Sequence, residues 1–140
     1  MGTDTRLTVP ITKLDDDRRL FGGWAYMAKH ADGQLAVDHS GDVVDTPQAW
    51  DSLVDAFTEY ALTGRDGDEM HQTFGVSKLA EFFVSDPTRW EQLGIPAGVL
   101  PQGIFVSYRA ESDDLWGKIK DGTYTALSIV GTGYREAVDA

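Results

Sequence analysis

Trp116-Gly-Lys-Ile-Lys-Asp-Gly-Thr-Tyr-Thr-Ala-Leu-Ser-Ile-Val-Gly131 holds two kinds of periodicity side by side. Leu115, Trp116 and Ile119 recur at helical spacing, and Gly122 stands where a helix C-terminal cap would. Tyr124 to Val130 is β-branched, aromatic and apolar, which predicts a strand. Alternate residues of a strand share a face, so Tyr124, Ala126, Ser128 and Val130 point one way and Thr125, Leu127 and Ile129 the other. A lone hydroxyl between Leu127 and Ile129 has two explanations. One is a buried serine hydrogen-bonded to backbone; the other is a nucleophile held rigidly by its strand.

Working outward, the chain alternates short strands with helices bounded by Pro or Gly. Leu7 to Ile11 suits only an edge strand, because Pro10 lacks a donor. Leu20 to Lys29 is the first full strand, with Gly22-Gly23 allowing a bulge or a close approach. Ala31-Asp-Gly33 predicts a hairpin turn into Gln34 to Val37. Asp38 to Asp45 reads as a turn held by Asp side chains; its glycine is one residue early for an EF-hand, and no glutamate closes the loop. Thr46 caps and Pro47 starts a long helix whose stripe is Trp50, Leu53, Val54, Phe57, Tyr60 and Ala61, with Gly64 ending it. Arg65 to Glu69 reads as an acidic loop delivering Met70-His71. Val76 to Ser85 predicts a strand that, by strict alternation, puts Leu79, Glu81 and Phe83 on one face and Ala80, Phe82 and Val84 on the other. Asp86-Pro87 opens a short helix stopped by Gly94, Ile95 to Gln102 is a loop, and Gly103 to Arg109 is a further strand.

This pattern predicts an α+β domain built on a small antiparallel, barrel-like sheet with flanking helices. Residues 1–18 read as a polar, partly disordered segment ahead of a single domain over 19–140. The chain has 41% hydrophobic residues, enough for a core, and no internal repeat or linker. Its net charge of -11 disfavours direct nucleic-acid binding, which needs a basic face. With no Cys, disulfides and thiolate catalysis are excluded. No apolar run approaches the roughly 20 residues of a membrane span, and no signal peptide is evident.

A nucleophilic serine needs a base, and the chain offers His30, His39 and His71. His30 and His39 sit beside turn signals, where solvated side chains are expected. His71 closes Asp68-Glu-Met-His71, upstream of the Glu81 strand. Together with Gly23-Trp-Ala, Val37-Asp-x-x-Gly-Asp-Val-Val-Asp45, Gly103-Ile-Phe-Val, Leu115-Trp-Gly-Lys-Ile-Lys and Gly122-Thr-Tyr-x-x-Leu-Ser-Ile, taken in order, it resembles the XkdF-like phage prohead serine proteases. These look like relatives of tailed-phage prohead proteases and herpesvirus assemblins.

The resemblance covers about Leu20 to Gly131 and implies a serine endopeptidase that needs no cofactor or metal. Its substrate would be the phage scaffold or major capsid protein, cut inside the immature capsid in the host cytoplasm. A homo-oligomer is left open. Ser128 would attack the scissile carbonyl and His71 take its proton, histidine titrating near working pH. Glu81 is the first choice for the group orienting His71, with Glu136 as runner-up.

The chain departs from the family at Val130-Gly131, where two glycines tend to follow Ser-Ile. Assemblins also take their third triad member from a later strand than any this chain offers. The alternative expectation is therefore an inactive, protease-fold module associated with capsid or scaffold. A metal hydrolase built on His39, His71 and nearby aspartates lacks any recognised ligand spacing.

Overall fold

In a computed structural model the backbone is described for residues 3–37, 41, 43–64, 66–69 and 73–133, and side chains for 9–37, 41, 43–63 and 77–126. Seven strands form one antiparallel sheet: β1 (Thr3–Pro10), β2 (Lys13–Asp15), β3 (Leu20–Lys29), β4 (Asp66–Glu69), β5 (Thr73–Ser85), β6 (Gln102–Ala110) and β7 (Ala126–Gly133). Their order is β1-β7-β4-β5-β6-β3-β2. Three helices accompany them: α1 (Pro47–Glu59), α2 (Pro87–Leu93) and α3 (Asp113–Lys120). The expected α+β class is the observed one.

The sheet is barrel-like because its two edge strands are consecutive in the chain, separated only by Ile11 and Thr12. Ile11 N–H donates to the Thr125 carbonyl beside β7, and Thr12 N–H donates to the Gly22 carbonyl on β3, both at 2.9 Å. Neighbouring peptide groups thus reach opposite ends of the strand order. Gly23 makes this crossing possible: a Cβ there would collide with the Pro10 carbonyl oxygen and touch Thr12 Oγ1. Gly22 is equally restricted, facing the Val106 carbonyl and the Ser107 Cα. The Gly pair marks a close approach, as its sequence allows. Within residues 1–18, Thr3–Pro10 and Lys13–Asp15 form β1 and β2, whose backbones pair with β7 and β3, and Val9 is fully buried.

The core is one cluster shared by sheet and helices. Phe21, Leu79, Ile104, Val106 and Tyr108 come from the strands, Trp50 and Phe57 from α1, and Leu115, Trp116 and Ile119 from α3. Helix starts follow the predicted chemistry. Thr46 Oγ1 accepts from Ala49 N–H, Asp86 Oδ1 from Arg89 N–H and Ser112 Oγ from Leu115 N–H. Gly94 and Gly122 take positive φ at the ends of α2 and α3. Trp50 Nε1 donates to Asp86 Oδ2, tying α1 to the cap of α2. Trp90 Nε1 donates to the buried Ser85 hydroxyl, which donates to the Pro101 carbonyl and so fixes the loop after α2.

Three local expectations are corrected. Gln34 to Val37 contributes a single bridge, Lys29↔Leu35, although the turn at Gly33 is as expected. The strand expected from Tyr124 starts at Ala126, since Tyr124 N–H is taken by the Lys118 carbonyl at the end of α3. Strict alternation in β5 fails because register shifts between Leu79 and Glu81, leaving Ala80 as an extra residue. Leu79 pairs with Tyr108, whereas Phe82 and Val84 pair with Val106 and Ile104, so all three join the core.

The close approach at Gly23 is testable. Gly23→Ala should destabilise the protein by about 1–3 kcal/mol, the usual range for overpacking. Gly117→Ala, in open space on α3, should stabilise it by about 0.5–1 kcal/mol. Chemical denaturation measures both, and equal midpoints for the two variants would contradict the crossing.

Candidate functional site

Ser128 is the third residue of β7, which runs between β1 and β4. On one side β1 pairs with β7 without interruption from Thr3↔Gly133 to Pro10↔Ala126, with Thr8 opposite Ser128. On the other side one pair joins β7 to β4 among the described residues, and it is Asp68↔Ser128. Directly opposed residues of an antiparallel pair have Cα atoms about 4.5–5.5 Å apart. The sheet is thus two ladders, β1 with β7 and β4 through β2, that meet at the serine.

His71 lies outside the described residues; in the sequence it follows Asp68 by three positions. Glu69 and Thr73, the nearest described residues on either side of it in the sequence, are register partners in the β4–β5 hairpin. The loop expected here is corrected to a strand over Asp66–Glu69, which pairs with β5 across a register shift at Gly67/Asp68. Asp-Gly-Asp-Glu carries no strand propensity, so only tertiary pairing reveals it. Asp68 is the site residue that propensity missed, although it opens the quoted Asp68-Glu-Met-His71 motif.

Glu81 is not brought to this place. It lies seven residues beyond Phe74, the β5 partner of Asp68, and is therefore about 20 Å further along the strand. It faces Ser107 on β6, whose buried hydroxyl donates to Glu81 Oε1 at 2.6 Å. β5 itself runs between β4 and β6. Glu81 is an exposed carboxylate whose partner is a cross-strand serine. Glu136 and His39 lie outside the described residues. His30 ends the β3 hairpin, where its backbone N–H donates to the Gln34 carbonyl.

The core holds a buried pair of phenols, Tyr60 at the end of α1 and Tyr108 on β6. Tyr60 and Tyr108 share a hydroxyl–hydroxyl hydrogen bond. Burial, reinforced by Tyr60, pushes the Tyr108 hydroxyl well above its ordinary pKa, so it stays neutral. Tyr60 opens a π-helical turn, Tyr60–Gly64, that leads from α1 towards β4.

These features define a class: a small α+β domain that presents a serine where two strands meet. A family model described as "Putative phage serine protease XkdF" matches residues 8–137 of the 140. The chain belongs to that family of phage proteins. Comparison with curated proteins and with solved structures yields no match.

The position of Glu81 gives a direct expectation. Glu81→Gln should leave labelling of Ser128 by a serine-directed fluorophosphonate within about twofold of the wild-type rate, since the carboxylate is remote. A loss of about a hundredfold or more would instead put Glu81 in the reacting unit.

Proposed function

We propose that this protein is a serine endopeptidase of phage prohead maturation, which cleaves segments of the scaffold or major capsid protein inside the immature capsid. The observation that carries this is the Asp68↔Ser128 bridge, which puts the β4 stem of the His71 segment beside the serine strand. Membership of a phage serine protease family supports the same chemistry.

In this reaction Ser128 Oγ attacks the scissile carbonyl carbon while His71 takes the hydroxyl proton. The tetrahedral intermediate collapses, the C–N bond breaks, and His71 returns the proton to the leaving amine. Water then attacks the acyl-enzyme with His71 again as base, releasing the carboxylate and restoring Ser128. The group that orients His71 is taken from Asp68 or Glu136, not from Glu81. Asp66, Asp68 and Glu69 place carboxylates on the strand next to the serine, and the chain as a whole carries -11. Basic substrate segments suit that field.

Ser128→Ala and His71→Ala should each abolish cleavage of the co-expressed scaffold or capsid protein to a similar extent, because such groups act as a unit. Gel analysis of assembled proheads reads this directly. Intact processing in both variants would leave the serine a strand hydroxyl and favour the non-enzymatic capsid module. Cleavage of a basic peptide should also slow as salt rises from about 0.05 to 0.5 M, as screening demands. Salt-independent cleavage would remove the electrostatic preference and leave the protease intact.

A further inference from the structure

β4 is the least self-sufficient strand of the sheet. Its four residues, Asp66-Gly-Asp-Glu69, include no apolar side chain. Register in a sheet is normally specified by which residues must be buried, and a slip of one residue turns every side chain to the other face. A strand of this composition therefore takes its register from what holds its ends. The downstream end enters β5 through a hairpin that already contains a bulge. The upstream end is the π-helical turn Tyr60–Gly64.

That turn is anchored at its first residue. Tyr60 is 8% exposed and its backbone N–H bonds back to the Ala56 and Phe57 carbonyls. Its hydroxyl meets that of Tyr108, which is fully buried on β6 and packs its ring on Phe21, centroids 6.1 Å apart. Tyr108 is the register partner of Leu79, and the next pair along, Lys78↔Arg109, extends to Asp66 through Asp66↔Lys78. Tyr108 thus stands one residue row from the start of β4, with β5 between the two strands. Thr63 Oγ1 donates to the Glu59 carbonyl and closes the turn from its other side. Leu62 is 71% exposed, so apolar burial does not fix the middle of the turn. A π turn holds one residue more than an α turn. Relaxing it changes the slack before β4 by one residue, which is the size of one register slip.

We infer that the Tyr60–Tyr108 pair is a positioning latch for β4: by fixing the π turn it sets which β4 residue stands opposite Ser128. Both tyrosines are positioning residues and touch no reacting atom. The consequence for catalysis rests on the protease function proposed above; the consequence for β4 does not.

The test uses the full chain carrying Tyr60→Phe and Tyr108→Phe together, which removes both hydroxyls and keeps both rings. Amide hydrogen exchange should accelerate at least about tenfold over Asp66–Glu69 while β3 and β6 keep their protection. The rate constant for fluorophosphonate labelling at Ser128 should fall about tenfold or more with the labelled end-point unchanged, a change of about 1.4 kcal/mol. A merely unfolded fraction would lower the end-point and leave the rate constant alone. Unchanged exchange in β4, or an equal rise in every strand, would overturn the latch. Faster exchange in β4 with an unchanged labelling rate would overturn its link to Ser128. If wild-type Ser128 is not labelled at all, the protease function fails and the exchange data alone decide the latch. Should the double variant not fold, Tyr60→Phe alone is read by the same criteria.

Discussion

The sheet depends on the crossing at Ile11 and Thr12. Two adjacent peptide N–H groups donate to carbonyls at opposite ends of the strand order, and the backbone at Pro10 can pass over β3 only because residue 23 has no side chain. An open seven-stranded sheet would present two free edges, each a template for unwanted pairing. Here both edge strands belong to one run of 13 residues, Thr3 to Asp15, bent in the middle. Pro10 sits at the bend, where its missing donor takes nothing from the β1–β7 ladder. The same bend encloses the core, since Val9 is fully buried one residue before it.

From this crossing the support of Ser128 follows. β7 is held along its whole length by β1, which is in turn fixed by the bend. Among the described residues β4 reaches β7 at one residue pair, and it carries no apolar side chain of its own to choose that pair. The two flanks of the serine are therefore unequal. One is a continuous ladder; the other is a single bridge whose register is imposed by the hairpin below and the π turn above.

Legibility in the sequence divides along the same line. β3 was readable to its exact limits, Leu20 to Lys29, because apolar and aromatic residues run between a charged turn and an Asp-Gly turn. α1 was readable from Thr46-Pro47 and its stripe, with Trp50, Phe57 and Tyr60 buried as expected. The serine strand was readable from its β-branched run. β4 was not, because nothing in Asp-Gly-Asp-Glu distinguishes a strand from an acidic loop until β5 and β7 are in place. The bulge at Ala80 was also hidden: Leu79, Glu81 and Phe83 alternate regularly, and only the pairing with Tyr108 and Ser107 shows that the phase changes between the first two. Strict alternation sets Glu81 on one face with Leu79 and Phe83, and the bulge removes that grouping. The actual partner of Glu81, Ser107, lies 26 positions away and gives no sign of itself in the local pattern.

Unequal support suits a nucleophile better than equal support would. A serine that must attack from a fixed position gains from a strand held by an unbroken ladder, since fixing the reacting geometry in advance removes entropy from the reaction step. A base that takes a proton and later returns it has to meet Oγ and then the leaving amine. In the proposed chemistry that base follows the strand held at one pair. The buried, neutral Tyr108 is a fitting anchor for such an arrangement. It is buried on β6, its hydroxyl engaged by Tyr60, and its protonation does not change over the range in which a histidine titrates. Proton traffic at His71 would leave that anchor unchanged, so β4 would keep its place throughout the cycle.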